Sequence, residues 1–176
     1  MKITTAFSCI LIVLGASHSL GQKSAVTRAT RPAVACEYWQ SKVDVSVRAQ
    51  NYIAAESERD SAVVLNGIEC LLKLKGEHSS STFASATVGY DISQRFPPPT
   101  VEVAALYYAS YLYYHNWQHA RAIVLMDSKG RKNTKHSVRT AYAAYEAWFA
   151  KVKGIGLQQA REQDLDPLAG TNVRWY

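Results

Sequence analysis

The chain has 176 residues, 48% of them apolar and 19% charged, with a formal net charge of +6. That composition is globular and excludes wholesale disorder. The basic excess is modest and scattered, which reads as solubility plus attraction to acidic partners or anionic surfaces.

Residues 1–21 open with Lys2, run through an apolar block from Ile10 to Leu14, and leave through Gly15, Ala16, Ser17, Ser19 and Gly21. This order predicts a secretory signal peptide, cleaved after Ser19 or Gly21. The block is too short to span a membrane, which takes about 20 apolar residues. The expected product is therefore periplasmic or secreted, with no transmembrane segment and no nucleic-acid partner. Removing Lys2 leaves 19 − 14 = +5 charges. The remaining chain of about 155 residues suits one domain and needs no metal to fold.

Cys9 precedes the apolar block and departs with it, so Cys36 and Cys70 are left as an even pair. In an oxidising compartment such a pair predicts one intrachain disulfide. Closing a loop of that length stabilises by about 3–4 kcal/mol on the chain-entropy argument.

Residues 22–32 lack apolar periodicity and read as a flexible leader ending near Pro32. A single helical domain is expected over 33–176. Within 33–55, Val43, Val45 and Val47 alternate like a strand, while Trp39, Val43 and Val47 recur like a helix. The Ala- and Gln-rich flanks favour helix.

A second helix is predicted over 58–75, with Ser57 and Asp60 as a capping pair and Val64, Ile68, Leu71 and Leu72 on one face. Gly76 is its stop. Gly67 beside Cys70 marks a close approach by a neighbour, for which the segment holding Cys36 is the natural choice. Residues 77–99 form a connector with a short helix expected within 82–95, ended by Pro97, Pro98 and Pro99.

Thr100 is placed as the cap of a third helix, and Glu102 in its first turn. From Val103 to Ala120 there is no Asp, Glu, Lys or Arg, and Tyr107, Tyr108, Tyr111, Tyr113 and Tyr114 all fall there. A helix apolar all round is a central one, surrounded by others. His115-Asn116 is a candidate break, with Trp117–Met126 as a second helical arm. Residues 127–136 are a basic, turn-rich loop. Val138, Tyr142, Tyr145, Phe149 and Val152 then form the cleanest helical stripe, with Gly154 as its expected end. Leu157–Gln163 is a short further helix, and the aromatic tail to Trp175-Tyr176 is expected to dock on the core. The predicted architecture is all-α, an irregular bundle of about five helices with one disulfide.

Three constellations could carry function. His115 and His119 stand at helical spacing i, i+4, which can seat zinc or copper if a third ligand arrives. Tyr107, Tyr111, Tyr114 and Trp117 offer flat apolar bodies with polar tips, the chemistry of a contact surface. Lys129, Arg131, Lys132 and Lys135 could meet an acidic partner. Nucleophile elbows, Gly-rich phosphate loops and haem-attachment motifs are missing from the sequence. Catalysis is accordingly not expected, and neither is a cofactor.

In size, export and disulfide count the chain is similar to small exported helical proteins of Gram-negative bacteria, a group that includes periplasmic immunity proteins. That resemblance carries no motif and assigns no residue. It implies a non-catalytic module that binds a protein of the cell envelope, as an inhibitor or immunity protein does. Binding of a small ligand or metal is the alternative, and an envelope enzyme the third reading.

Overall fold

The computed structural model describes residues 35–44, 60–81, 83, 96–116, 119–120 and 122–176. These residues lie in one compact unit, Pro32–Tyr176. The expected signal peptide and leader, Val45, Val47 and Ser57, all of 82–95 except Phe83, and Trp117 fall outside the described residues. Five helices and two strands are present among them: α1 (Cys36–Gln40), α2 (Ser61–Leu72), α3 (Val101–Tyr114), β1 (Leu125–Asp127), α4 (Lys135–Ile155), α5 (Leu157–Glu162) and β2 (Val173–Trp175). The molecule is thus mostly helical, with a small sheet that the all-α expectation lacked. Among the described residues no helix is long and apolar enough to cross a membrane.

α1 is one and a half turns long. It ends at Gln40, and Ser41–Val43 form a turn, so Val43 sits in neither the helix nor the strand its neighbours suggested. That short helix has little stability of its own. It is held by the Cys36–Cys70 disulfide, whose Cα atoms are 5.1 Å apart, and by Trp39, which is fully buried. The Trp39 indole N–H donates to Asn66 Oδ1 of α2 at 3.1 Å.

α2 begins at Ser61, three residues later than the capping pair implied. Asp60 is itself the cap, its carboxylate accepting from Ala62 N at 2.9 Å. Gly76, at φ +87°, occupies the left-handed turn beyond its end, as glycine readily does. Gly67 is where α1, α2 and α3 meet. A Cβ there would lie 2.9 Å from Leu112 of α3 and 2.9 Å from the Trp39 ring. The leucine methyl could give way, but the clamped indole could not.

α3 runs through this junction with every residue from Val101 to Ser110 buried. Thr100 occupies its cap position, yet its hydroxyl makes no cap bond. Carbonyls of the preceding loop satisfy the first amides instead: Val101 N donates to Ser79 O at 2.9 Å and Glu102 N to Glu77 O at 3.1 Å. The helix stops at Tyr114, where His115 turns left-handed at φ 52°. Arg161 of α5 reaches across to its last turn, donating to the carbonyls of Tyr113 at 2.6 Å and Leu112 at 3.0 Å. A cation there also suits the helix dipole.

The expected second arm, Trp117–Met126, is not a helix through its length. Its end is extended, and Leu125–Asp127 pairs antiparallel with Val173–Trp175 in the register Leu125↔Trp175, Met126↔Arg174, Asp127↔Val173. β-branched Ile123 and Val124 favour this extended path. α4 is longer than its apolar stripe. It starts after Thr134, whose hydroxyl accepts from Ser137 N, and continues through Gly154 to Ile155. Gly156, at φ +90°, is the actual terminator.

The two helical glycines give opposite expectations. Gly154→Ala meets open space and gains about 0.5–1 kcal/mol of helix propensity. Gly67→Ala gains the same propensity but overpacks the three-helix junction, and is expected to lose about 1–2 kcal/mol net. Denaturant unfolding of the two variants checks the contrast.

Candidate functional site

Tyr114, the last residue of α3, is half-buried at the exposed end of the helix. Beyond the break the chain turns back and sets His119 against the tyrosines it has just left. The His119 ring lies 4.5 Å from the Tyr107 ring, 5.9 Å from Tyr114 and 6.3 Å from Trp175 of β2, centroid to centroid. His119, Tyr114 and Trp175, though not Tyr107, line a cleft of about 520 Å³, together with Ser110 and Tyr145. Asp166 and Arg174, both exposed, line it as well.

Hydrogen bonds fix its inner polar groups. The Trp175 indole N–H donates to Tyr145 Oη at 2.9 Å. Tyr145 in turn shares a short hydrogen bond with Ser110 Oγ, which donates to Leu106 O at 3.2 Å. The indole can only donate and the carbonyl only accept, so the chain runs one way: Trp175 to Tyr145 to Ser110 to Leu106. Burial, opposed by its bonds to Ser110 and Trp175, pushes the Tyr145 phenol upward and keeps it neutral. Burial, and then the charge of Asp166, push Tyr114 the same way.

His119 is set differently. Its Nδ1 lies 2.9 Å from the Asn116 carbonyl, which can only accept, so Nδ1 carries the proton in the neutral ring. Nε2 is then an acceptor. It is buried and has no hydrogen-bond partner among the described residues. Burial lowers the His119 pKa below the ordinary 6.5, more than the bond to Asn116 raises it. The result is a neutral imidazole with one unused lone pair in an aromatic setting.

The residues singled out from the sequence are dispersed by the fold. Tyr107 is core, at 2% exposure, and cannot form an outer contact surface. Tyr111 is half-buried and stacks on Tyr108 with ring centroids 5.5 Å apart. His115 is the exposed cap of α3 and His119 lies past it, so the two do not share a helix. Among the described residues no group of three His, Cys, Asp or Glu side chains could hold a metal ion.

Lys129, Arg131 and Lys132 project from a tight turn built on Asp127. Its buried carboxylate accepts from Lys129 N and Arg131 N, both at 2.9 Å, and from Arg131 Nε at 2.8 Å. Burial opposes the Asp127 charge, but those donors outweigh it and hold the carboxyl below its usual range. Lys135 stands apart, at the head of α4.

Ser110, Tyr145, Asp166 and Trp175 were not singled out in advance. Tyr145 belongs to the apolar stripe of α4 and Ser110 carries no signal of its own, and the expected docking of the aromatic tail does not say which residues it meets. Comparison of the chain with protein-family models, curated proteins and solved structures found no match.

Tyr145→Phe leaves the Trp175 indole N–H without its acceptor and is expected to cost about 1–3 kcal/mol in denaturant unfolding. Adding Ser110→Ala should cost clearly less than Ser110→Ala alone, because both groups act in one network.

Proposed function

We propose that this is an exported, non-catalytic binding protein that holds a small ligand in the cleft between Tyr114, His119, Tyr145 and Trp175. The observation that carries this reading is His119 Nε2, a buried acceptor with nothing to accept among the described residues. Burying such an atom costs free energy unless a donor reaches it. A ligand with a flat apolar body and an N–H or O–H donor would supply that bond and lie against the aromatic walls. Asp166 would add a second acceptor from the rim.

The arrangement gives no support to nucleophilic catalysis. Ser110 hydrogen-bonds to Tyr145 and the Leu106 carbonyl rather than to His119, so serine and imidazole are not a nucleophile–base pair. The Cys36–Cys70 bridge supports an oxidising compartment, where such bonds persist.

Indole and phenol, each flat with one donor, are suitable probes. Titration of either is expected to move the His119 and Trp175 resonances saturably. His119→Phe, which keeps the ring and loses the acceptor, should weaken binding at least tenfold. Because burial depresses the His119 pKa, the neutral ring persists somewhat below pH 6.5. Binding should be flat above that pH and fall away in more acidic solution, once Nε2 is protonated. Unaltered binding by His119→Phe would rule the reading out.

A partner-binding role has one observation in its favour. The Asp127 turn is fixed by three hydrogen bonds to a single carboxylate and turns Lys129, Arg131 and Lys132 outward. Pre-ordered cations lose little entropy on meeting an acidic protein surface. Charge reversal by Lys129→Glu with Lys132→Glu should then abolish a stoichiometric complex formed with an envelope protein at low salt.

A further inference from the structure

A second cleft, also about 520 Å³, shares no lining residue with the first. It opens between the Gly76–His78 turn, the start of α3 and the first turns of α4. We propose that it binds a small anion: a phosphate or carboxylate group on an organic ligand.

The charge balance comes first. Lys75, Lys135 and Arg139 line the cleft against one carboxylate, Glu102. That carboxylate is already committed: Oε2 accepts from Gly76 N at 2.9 Å, and Oε1 lies 2.8 Å from His78 Nδ1. Lys75 is likewise engaged, with Glu146 at 2.9 Å. Lys135 and Arg139 are different. They stand one turn apart on α4, both exposed, and neither has an ion-pair partner among the described residues. They also belong to the most one-sided stretch of the chain. Residues 128–145 contain Lys129, Arg131, Lys132, Lys135 and Arg139 and no Asp or Glu.

The second observation is independent of charge. Thr100 Oγ1 lines this cleft, is buried, and has no hydrogen-bond partner among the described residues. Its usual task, capping α3, is taken over by loop carbonyls that bond the first amides of the helix. With no partner in either role, its O–H is a free donor. An anion's oxygens would accept from Thr100, pair with the planar fork of Arg139, and meet the Lys135 ammonium as a point charge.

The test uses the whole chain with inorganic phosphate in one titration, citrate in another, and chloride as the ionic-strength control, each followed by amide NMR. The expected result is saturable movement of resonances around Thr100 and Arg139 with phosphate or citrate, but not with chloride. Whichever of the two binds identifies the group. Lys135→Gln with Arg139→Gln should weaken binding at least tenfold, while Lys129→Gln with Lys132→Gln stays within about twofold. Thr100→Val should weaken binding severalfold with no loss of thermal stability, since its hydroxyl supports nothing in the free protein. Three results would each overturn the proposal: no saturable shift up to about 10 mM of either anion, equal losses in the two lysine-containing pairs, or binding untouched by both Arg139→Gln and Thr100→Val.

Discussion

A helix that carries no charged side chain from Val103 to its end at Tyr114 must be covered on all sides, and the remaining elements are placed by that need. α2 and α1 cover one flank, tied together by the Cys36–Cys70 bridge and brought close by Gly67. α4 brings Tyr142 and Tyr145 to it, and α5 brings Arg161 to its last carbonyls. The strand at the end of the chain brings Trp175 to within 5.6 Å of the Tyr107 ring. Burying that much aromatic surface drives the fold, but it also carries hydroxyls inward, and Tyr113 Oη is buried with no hydrogen-bond partner among the described residues. Tyr145 finds Ser110, and Tyr142 donates to the Glu102 carbonyl at 3.0 Å. Both clefts lie beside these tethered phenols, one next to Tyr145 and the other next to Tyr142.

The legible parts of the fold are those whose signal is local and repeated. The stripe from Val138 to Val152 specifies α4, because five large apolar residues at helical spacing have only one economical arrangement. The Gly67 anomaly also reads correctly, since a glycine in a good helical sequence implies something close by, and that something is Trp39, three residues from Cys36. The disulfide follows from the parity of the cysteines remaining once Cys9 is set aside.

Where sequence reasoning falls short, non-local partners decide. A three-residue strand has too little alternation to announce itself, and β1 is a strand because β2 pairs with it. Gly154 resembles a terminator in the sequence, but Gly156, two residues on, holds the positive φ and ends α4. Tyr107 looked like a contact residue because tyrosine suits both core and surface. The left-handed turn at His115 was anticipated as a break, but not its effect, which is to fold His119 back over the helix it follows. Trp175, Asp166 and Ser110 reach one cleft from three distant segments, and no spacing rule links them.

The two-stranded ladder joining Leu125–Asp127 to Val173–Trp175 is held differently from the helices. Three residue pairs hold it, whereas α3 is sheathed along its length. A ladder that short has little stability of its own, so it depends on Leu125 and Val173, which are buried in the core. The indole that walls the aromatic cleft rides on that strip, and its hydrogen bond to Tyr145 ties the strip to α4.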